Sequence, residues 1–365
     1  MPRSPRQAAE QRNATIRDVA ALAGVSSATV SRVLNRNYPV AASTRERVEN
    51  AMRELGYVVN AHARALAGSS NRTVGIIVNE IVDPFFAFIA RGVEREAARA
   101  GRLCLVCCAQ GDPRRELAFV DLLNEQRADA VVLVGGSVAD RAYTAELTRR
   151  AEELRARDSQ LVLCGRPALG GGVPTAVVEY DNEGGAFAIT DHLLNQGHER
   201  ILYLGGPPAI STTRDRLAGY HRALRLRGVD PDPALERTGA FGRGFGYREM
   251  GAMLASATEF TAVFAANDLV AAGAVQALEE AGLRVPDDVS IVGYDDVPVA
   301  QEMRPKLTTV HIPLEEMGRQ AIRMVTPDED EADEWRAPAA NLMRLGTHIV
   351  VRDSVAPRGR RPRKA

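Results

Sequence analysis

The stretch that decides the fold is Thr15-Ile-Arg-Asp-Val-Ala-Ala-Leu-Ala-Gly24-Val-Ser-Ser-Ala-Thr-Val-Ser-Arg-Val-Leu-Asn35. Thr15 followed by Asp18 is a capping-box pattern, so a helix is predicted to start at Ile16. Gly24 supplies the backbone freedom of a tight turn, and Ser26 can cap a second helix directly after it. Two short helices joined by such a turn predict a helix-turn-helix, whose second helix lies in the major groove of DNA.

Apolar residues at helical spacing predict one buried face on each helix of this head. The residues expected to be buried are Val19, Leu22, Ala23, Val30, Val33 and Leu34. A third helix is predicted to be capped by Ser43 with Glu46. Its packing residues are expected to be Val48, Met52 and Leu55.

Five side chains are left facing outward on the second helix. They are Ser27, Ala28, Ser31, Arg32 and Asn35, of which only Ala28 is apolar. The alternative to a DNA-binding head is a small helical bundle without a ligand. An outward arginine on the second helix of a helix-turn-helix favours DNA binding.

Composition and charge support a two-part protein. The chain has 365 residues, of which 45% are hydrophobic and 25% charged, as in an ordinary globular protein of two or three domains. The net charge of −1 conceals an asymmetry, because residues 1–72 hold eleven arginines and five acidic residues, a net charge of +6, which leaves −7 for the rest. A basic head on an acidic body predicts that the head contacts phosphates. No membrane-length apolar run and no signal peptide are seen, so a cytoplasmic protein is expected.

Three of the four cysteines lie in one apolar, strand-like run, Leu103–Cys108. Strand alternation places Cys104 and Cys108 on one face and Cys107 on the other, which disfavours a single metal site. We therefore expect core cysteines, and neither a metal nor another cofactor.

From residue 73 onward, apolar strand-like runs alternate with helix-patterned stretches. Predicted strands are 73–78, 103–108, 130–134, 161–164, 176–178, 201–204, 262–264, 289–292 and 349–351, and predicted helices are 85–100, 115–126, 145–156, 184–196, 216–228, 246–256 and 269–282. This alternation implies parallel sheets wrapped by helices. Nearly three hundred residues are too many for one sheet, so we expect two α/β lobes, with ligands at the carboxyl ends of strands and between the lobes.

The order of residues in the head resembles one family. The pattern Ile-x-Asp-Val-Ala-x-x-Ala-Gly-Val-Ser-x-x-Thr-Val-Ser-Arg-Val-Leu-Asn over 16–35, with Leu55-Gly56-Tyr57, is similar to the head of LacI/GalR-type bacterial repressors. The body carries Asp83-Pro-Phe-Phe86, Arg216-Leu-Ala-Gly-Tyr220 and Gly293-Tyr-Asp-Asp296, as the periplasmic sugar-binding proteins and the LacI-type bodies do. The resemblance implies an all-α DNA-binding head on a periplasmic-binding-protein-like body of two parallel-sheet lobes, and a regulator that is not an enzyme.

The resemblance assigns DNA contacts. Ser27, Ala28 and Arg32 are expected to read bases, and Arg32 can donate two hydrogen bonds to a guanine. Side chains suited to phosphates are Thr15, Ser26, Ser31, Asn35 and Thr44. In the hinge, the expected DNA contacts are Ala63 and Leu66, with Leu66 acting as a minor-groove wedge. The alternative for Leu66 is packing between the two hinge helices of a dimer.

The resemblance also assigns effector contacts between the lobes. Those carried over are Phe85, Phe86, Arg166, Thr212, Arg216, Phe241, Asn267 and Asp295. The phenylalanines can stack on a ring, whereas a carboxylate and an amide suit adjacent hydroxyls. A sugar is expected, and nucleobases or other polar metabolites stay open because the sole tryptophan, Trp335, is expected outside the pocket. The alternative for Asp295 is to cap or brace a turn.

These expectations define the domain organisation. Residues 1–13 are expected to be a disordered extension, 14–59 the helix-turn-helix domain, 60–72 a hinge helix and linker, 73–355 the effector-binding and dimerisation domain, and 356–365 a basic tail. The resemblance implies lobe 1 at about 73–178 and 311–326, and lobe 2 at about 179–310 and 327–355. The acidic run 328–334 is interpreted as a solvated loop. Since no heptad segment follows the last strand, a homodimer is expected rather than a coiled-coil tetramer.

The function expected from the sequence is a repressor that binds a pseudo-palindromic operator under the control of a small polar effector. An activating or partner-dependent regulator of the same fold is the alternative. Enzymes are disfavoured because the sequence has no nucleophile elbow, phosphate loop or His-Glu-x-x-His motif. A periplasmic binding protein is disfavoured by the head and by the missing signal peptide.

Overall fold

The computed structural model describes residues 14–35, 39–57, 72–326 and 341–358. The chain divides into two compact units, Met1–Asn71 and Arg72–Ala365, which are described separately. Several predictions lie outside the described residues. These are the disordered extension 1–13, the hinge helix with Ala63 and Leu66, the acidic run with Trp335, and all of the basic tail beyond residue 358.

The head consists of α1 (Ile16–Ala23), α2 (Ser27–Asn35) and α3 (Ala42–Glu54). The predicted capping box is present, since the Thr15 hydroxyl accepts from the Asp18 N–H and the Asp18 carboxylate accepts from the Thr15 N–H at 2.8 Å. Gly24 ends α1 in the left-handed conformation with φ 64°. The Ser26 hydroxyl then accepts from the Thr29 N–H at 3.1 Å and starts α2. The helix-turn-helix prediction is confirmed down to its caps.

Two details of the head differ from expectation. Leu22 is 46% exposed, because Ala20 joins Val19 and Ala23 on the buried face at 3.6 residues per turn and Leu22 falls outside it. Ser43 does not cap α3, because the helix already begins at Ala42 and Ser43 is its second residue. Val19, Ala23, Val30, Val33 and Val48 are buried as predicted, and Leu34, Met52 and Leu55 are half-buried against them.

The body contains two six-stranded sheets. The strands are β1 (Thr73–Val78), β2 (Leu103–Cys108), β3 (Ala130–Val134), β4 (Gln160–Cys164), β5 (Thr175–Tyr180), β6 (Ile201–Leu204), β7 (Glu236–Arg237), β8 (Ala262–Ala265), β9 (Ser290–Asp295), β10 (Thr308–His311), β11 (Asn341–Leu345) and β12 (His348–Val350). The first sheet has the order β11-β5-β4-β3-β1-β2 and is parallel throughout. The second has the order β12-β10-β9-β8-β6-β7, in which β12 alone is antiparallel.

Helices cover both sheets. They are α4 (Pro84–Arg99), α5 (Pro113–Glu125), α6 (Arg141–Arg155), α7 (Asn182–Asn195), α8 (Ser211–Leu226), α9 (Arg243–Leu254), α10 (Asp268–Glu280), α11 (Val299–Glu302) and α12 (Leu314–Arg323). Alternate residues of β1 face opposite layers: Ile76 lies in the apolar cluster with Ile89 of α4, and Ile77 in the cluster with Leu123 of α5. The first sheet with α4, α5, α6 and α12 forms lobe 1, and the second with α7 to α11 forms lobe 2.

The expected third crossing between the lobes, near residue 327, is wrong. The chain leaves lobe 1 after β5 and returns after β10, as predicted. However, β11 pairs with β5 in the first sheet, with Leu342 opposite Val177, so residues 341–345 belong to lobe 1. The third crossing is the short link from Leu345 to His348, because β12 pairs with β10 in lobe 2.

Close helix packing in lobe 1 depends on glycine. A Cβ built on Gly92 of α4 would lie 2.0 Å from the Glu315 carbonyl oxygen of α12, and one on Gly318 of α12 would lie 2.1 Å from the Ile89 carbonyl oxygen. The two helices therefore meet through their backbones, where any larger residue would separate them.

The cysteine alternation is confirmed. Cys104 and Cys108 pack on the α4 side of the first sheet, and Cys107 on the α5 side. Burial raises the pKa of the Cys104 thiol to about 11, so this thiol stays protonated at neutral pH. In the part of the chain that the structure describes, no helix is both long and apolar enough to cross a membrane.

Candidate functional site

The outward face of α2 presents the predicted base-reading residues. Ser27, Ala28 and Arg32 are exposed, and Ser31 is half-buried. The side chain of Asn35 lies outside the described residues. A helix whose buried face holds Val30 and Val33 leaves these positions pointing away from the head core, which is the arrangement that major-groove docking needs.

The predicted phosphate-contact hydroxyls have structural partners as well. Thr15 and Ser26 are exposed, but both hydroxyls serve as helix caps. Thr44 lies in the first turn of α3 and is half-buried. The N–H groups in the first turn of a helix point out of its N-terminus and can also bind phosphate.

In the body, a cavity of about 390 Å³ lies between the two lobes. All eight residues carried over as effector contacts line it. Lobe 1 contributes Phe85, Phe86 and Arg166, and lobe 2 contributes Thr212, Arg216, Phe241, Asn267 and Asp295. Their convergence is a property of the structure, whereas their role as effector contacts remains a prediction.

The cavity wall that lobe 1 contributes is aromatic, and its two phenylalanines lie at the start of α4. The rings of Phe85 and Phe86 pack edge to face, with centroids 5.1 Å apart and an interplanar angle of 85°. Asp83 caps α4 by accepting from the Phe85 N–H at 2.9 Å. Burial raises the pKa of Asp83, with Glu80 adding to the effect and the cap hydrogen bond opposing it. This wall offers an apolar surface for a ring beside the Asp83 carboxyl group.

Arg216 is the centre of the lobe 2 wall. Its side chain is 2% exposed, and its guanidinium lies 3.7 Å above the Tyr294 ring. Nε donates to Asn182 Oδ1 at 2.9 Å, Nη1 donates to the Ala266 carbonyl, and Nη2 donates to Asp295 Oδ1 at 3.1 Å. Tyr180 Oη lies 3.2 Å from the same Nη2. These bonds hold Asp295, at the end of β9, against the arginine.

Asp295 is held in an unfavourable conformation. Its φ of 104° lies in the region that side chains other than glycine rarely adopt, and it is followed by Asp296 with φ 57°. Such a conformation costs energy and persists only where the surrounding structure holds the residue in place. Non-glycine residues in such conformations cluster at functional sites. Asp295 is 5% exposed, and burial raises the pKa of its carboxyl group to about 7; Arg216 opposes this rise and Asp83 adds to it.

This raised pKa predicts a pH-dependent stability. The ordinary value for an aspartate is 3.8, so between pH 4 and pH 7 the folded protein binds a proton that the unfolded chain has released. The contribution of Asp295 to stability therefore falls as the pH rises through this range. We expect the melting temperature of Asp295→Asn, measured relative to that of the unsubstituted protein, to be higher at pH 8 than at pH 5. Thermal melts of Asp295→Asn and of Asp287→Asn, an exposed control, check this; parallel pH profiles for both would contradict it.

The guanidinium nitrogens of Arg166 donate to other groups of the protein rather than being open to a ligand. Nη1 and Nη2 bond the two carboxylate oxygens of Glu116 at 2.9 and 3.1 Å, and Nε donates to the Gly135 carbonyl at 2.9 Å. Tyr143 Oη donates to Glu116 as well. Burial would raise the pKa of Glu116, but Arg166 and Tyr143 outweigh it and hold the pKa below its usual value. Arg166 therefore fixes an ionised Glu116 on the cavity wall.

Asn267 and Thr212 also carry structural contacts. Asn267 caps α10 by accepting from the Val270 N–H at 2.9 Å, and its Nδ2 donates to the Phe241 carbonyl at 2.9 Å. The second Nδ2 hydrogen remains for another acceptor. Thr212, in the first turn of α8, is buried beside Gly136 of lobe 1.

Sequence analysis missed several lining residues. They are Asn79, Asp112, Glu116, Ser137, Tyr143 and Tyr180. Two of these carried a signal: Asn79 directly follows β1, and Asp112-Pro113 repeats the Asp-Pro helix start of Asp83-Pro84. The others depend on partners far away in the chain, which a single sequence does not reveal.

Comparison with known proteins identifies the family to which the chain belongs. Residues 15–60 match the pattern described as "Bacterial regulatory proteins, lacI family", and residues 190–355 match a periplasmic binding protein-like domain. The regulator GalR of Escherichia coli (strain K12) is 37% identical over 311 residues, which cover 85% of this chain and 88% of GalR. The chain belongs to the LacI family. Its members are transcriptional regulators, in agreement with the expectation that the chain is not an enzyme.

Solved structures of LacI-family proteins match almost the whole length. The Lac repressor dimer bound to operator and the anti-inducer ONPF has a TM-score of 0.79 at 28% identity, covering 94% of this chain and 100% of that one. A complex of the regulator CelR with cellobiose has a TM-score of 0.66 at 34% identity, with the same coverage. This LacI-family chain is therefore a DNA-binding transcriptional regulator with an effector-binding body, as the resemblance implied.

Proposed function

We propose that this LacI-family regulator is a cytoplasmic repressor that binds a pseudo-palindromic operator as a homodimer. We propose further that an uncharged, polyhydroxylated ligand, a sugar, binds in the cavity between the lobes and controls operator binding. The observation that carries the proposal is the convergence of the Phe85–Phe86 pair, Asp295 and the Arg216 network on one cavity, in a chain whose head is a helix-turn-helix.

The chemistry of the cavity favours a neutral ligand. Both arginines in its wall are already paired with carboxylates, Arg216 with Asp295 and Arg166 with Glu116. Each guanidinium also donates to at least one backbone carbonyl. A phosphate or carboxylate on the ligand would have to displace one of these buried pairs, which is costly.

The remaining polar groups suit hydroxyls. Asp83 and Asp112 line the cavity, and each caps a helix through one backbone N–H without forming a salt bridge to any arginine of the described residues. Carboxylates accept hydrogen bonds from hydroxyl groups. The Phe85 and Phe86 rings provide the apolar face against which the C–H face of a sugar ring packs. The cellobiose complex of CelR supports a sugar, as does a cavity volume within the range of small-ligand sites.

Control of DNA binding follows from linkage. A ligand that contacts both lobes binds one arrangement of the lobes better than another, and only this differential affinity can shift operator binding. The same coupling serves an inducer or a corepressor, depending on which arrangement the operator-bound dimer adopts. The two heads of a dimer imply two half-sites in the operator.

The test is an in vitro selection of random duplex DNA by the full-length protein. It is run without ligand, with a pool of neutral sugars and with a matched pool of sugar phosphates. We expect a palindrome whose recovery changes with one neutral sugar and not with its phosphate. A response confined to phosphorylated ligands would overturn the neutral-ligand assignment, and the absence of any motif would overturn autonomous operator binding.

A further inference from the structure

The two lobes are joined by backbone hydrogen bonds at the edge of the cavity. The Ser211 N–H donates to the Ser137 carbonyl at 2.9 Å, and the Ala139 N–H donates to the Ala209 carbonyl at 3.1 Å. Val138 and Ile210 lie opposite each other between these bonds as an isolated antiparallel bridge. We call residues 137–139 of lobe 1 and 209–211 of lobe 2 the clasp.

Ser211 closes the clasp with its side chain as well. The Ser137 N–H donates to Ser211 Oγ at 3.1 Å, so the two serines are joined in both directions. Ser211 is 3% exposed and is the first residue of α8. Since α8 also carries Arg216, the clasp ties the helix of the Arg216 network directly to the loop that follows β3.

The approach of the lobes at the clasp needs a residue without a side chain. A Cβ on Gly136 would lie 2.4 Å from Ile210 Cγ2, 2.7 Å from Thr212 Oγ1 and 3.2 Å from Ser211 Oγ. All three atoms belong to lobe 2. An alanine at this position would therefore press the lobes apart, although it would disturb nothing within lobe 1 at that distance.

We propose that the clasp holds the body closed in the absence of any ligand, with Gly136 and Ser211 as positioning residues that set the population of the closed state. The bonds of the clasp join protein groups to protein groups, so none of them needs a ligand in order to form. Entry and exit of a ligand then require that these bonds break. The fraction of protein that is already closed without ligand limits how far ligand binding can shift the equilibrium between the two states, and therefore how far it can change operator affinity. The second step rests on the proposed effector function; closure itself does not.

Closure can be measured by disulfide trapping. Ala139 and Ala209 lie opposite each other beside the Val138–Ile210 bridge, and the Cα atoms of a hydrogen-bonded antiparallel pair are about 5.5 Å apart, within disulfide range. The full-length protein with Ala139→Cys and Ala209→Cys, which keeps Ile210 in place, is oxidised without ligand, and peptide mapping identifies this crosslink separately from the four native cysteines. The rate is compared when Gly136→Ala, Ser211→Ala or Gly251→Ala is added. Gly251 lies in α9, where a Cβ meets nothing within 4 Å, and serves as the matched control.

We expect fast trapping with Gly251→Ala, at least tenfold slower trapping with Gly136→Ala, and an intermediate rate with Ser211→Ala. Equal rates in all three proteins would overturn the clasp, and Ser211→Ala carries the comparison if Gly136→Ala does not fold. Operator affinity of the trapped and reduced proteins separates the two proposals. Slow trapping in Gly136→Ala, together with identical operator affinity of the trapped and reduced forms, would retain the clasp and overturn control of DNA binding by closure.

Discussion

Arg216→Met is expected to lower the free energy of unfolding of the body by about 3–5 kcal/mol, because it removes one partner of a buried ion pair. The guanidinium bonds Asp295, Asn182 and the Ala266 carbonyl in a site with 2% exposure. Methionine preserves much of the volume above the Tyr294 ring but donates no hydrogen bond. Asp295 must then take up a proton or keep an uncompensated charge, and the other acceptors lose a donor.

Arg222→Met is the matched control for this experiment. Arg222 lies on the same helix, pairs with Glu183 and covers the Phe187 ring, but its side chain is 54% exposed. Exposed pairs of this kind contribute about 0.2–1 kcal/mol. Urea denaturation of both variants gives the comparison, and Asp295→Asn combined with Arg216→Met should recover part of the loss. If Arg216→Met costs no more than Arg222→Met, the Arg216 network does not stabilise the body.

The parallel core of the fold could be predicted from the sequence because its strands are short and mainly apolar runs. Four of them, 73–78, 103–108, 130–134 and 201–204, have the predicted bounds. β3 and β6 are buried throughout and β1 is buried except at Thr73, so hydrophobicity marks their ends. The edge strand β2 is equally apolar although it is partly exposed. Helix starts were predicted too late, for example 115 for α5 and 145 for α6. Their first turns are polar, and the signals that mark them are the caps Asp112 and Asp140.

The lobe assignment of β11 could not be predicted in the same way. Its residues include Asn341 and Arg344, and Leu342 is exposed at the edge of the sheet, so hydrophobic patterning is weak. Its place in lobe 1 depends on pairing with β5, more than 160 residues earlier in the chain. Pairing over this distance is decided by tertiary structure, which a local pattern does not contain.

In the cavity between the lobes, too, some features could be predicted from the sequence and others could not. The rule that ligand groups follow the carboxyl ends of strands located Asn267 and Asp295, and family resemblance supplied Arg166. No local pattern indicated that Arg166 would bond Glu116 and Tyr143, or that Asn267 would cap α10. Residue type predicts what a side chain is able to bind, whereas its neighbours decide how much of that capacity is left for a ligand.

Arg32→Ala is expected to abolish the preference for one guanine in each half-site of the operator. A bidentate arginine contributes about 1–3 kcal/mol of discrimination at its base pair, and a homodimer loses this twice. Alanine leaves the buried face of α2, with Val30 and Val33, unchanged, so the head should remain folded. Selection from random duplex DNA with the variant measures base preference at each position, and circular dichroism checks the fold.

The control separates base reading from loss of charge. Arg53 is exposed near the end of α3, bonds Asn50 and does not belong to α2. Arg53→Ala removes the same charge from the head, so any weakening should be uniform across sequences and should appear in the salt dependence of binding. Arg32→Ala should instead flatten the preference at one position of each half-site while the others persist. Base preferences that are the same in both variants would show that Arg32 contributes to DNA binding through its charge alone.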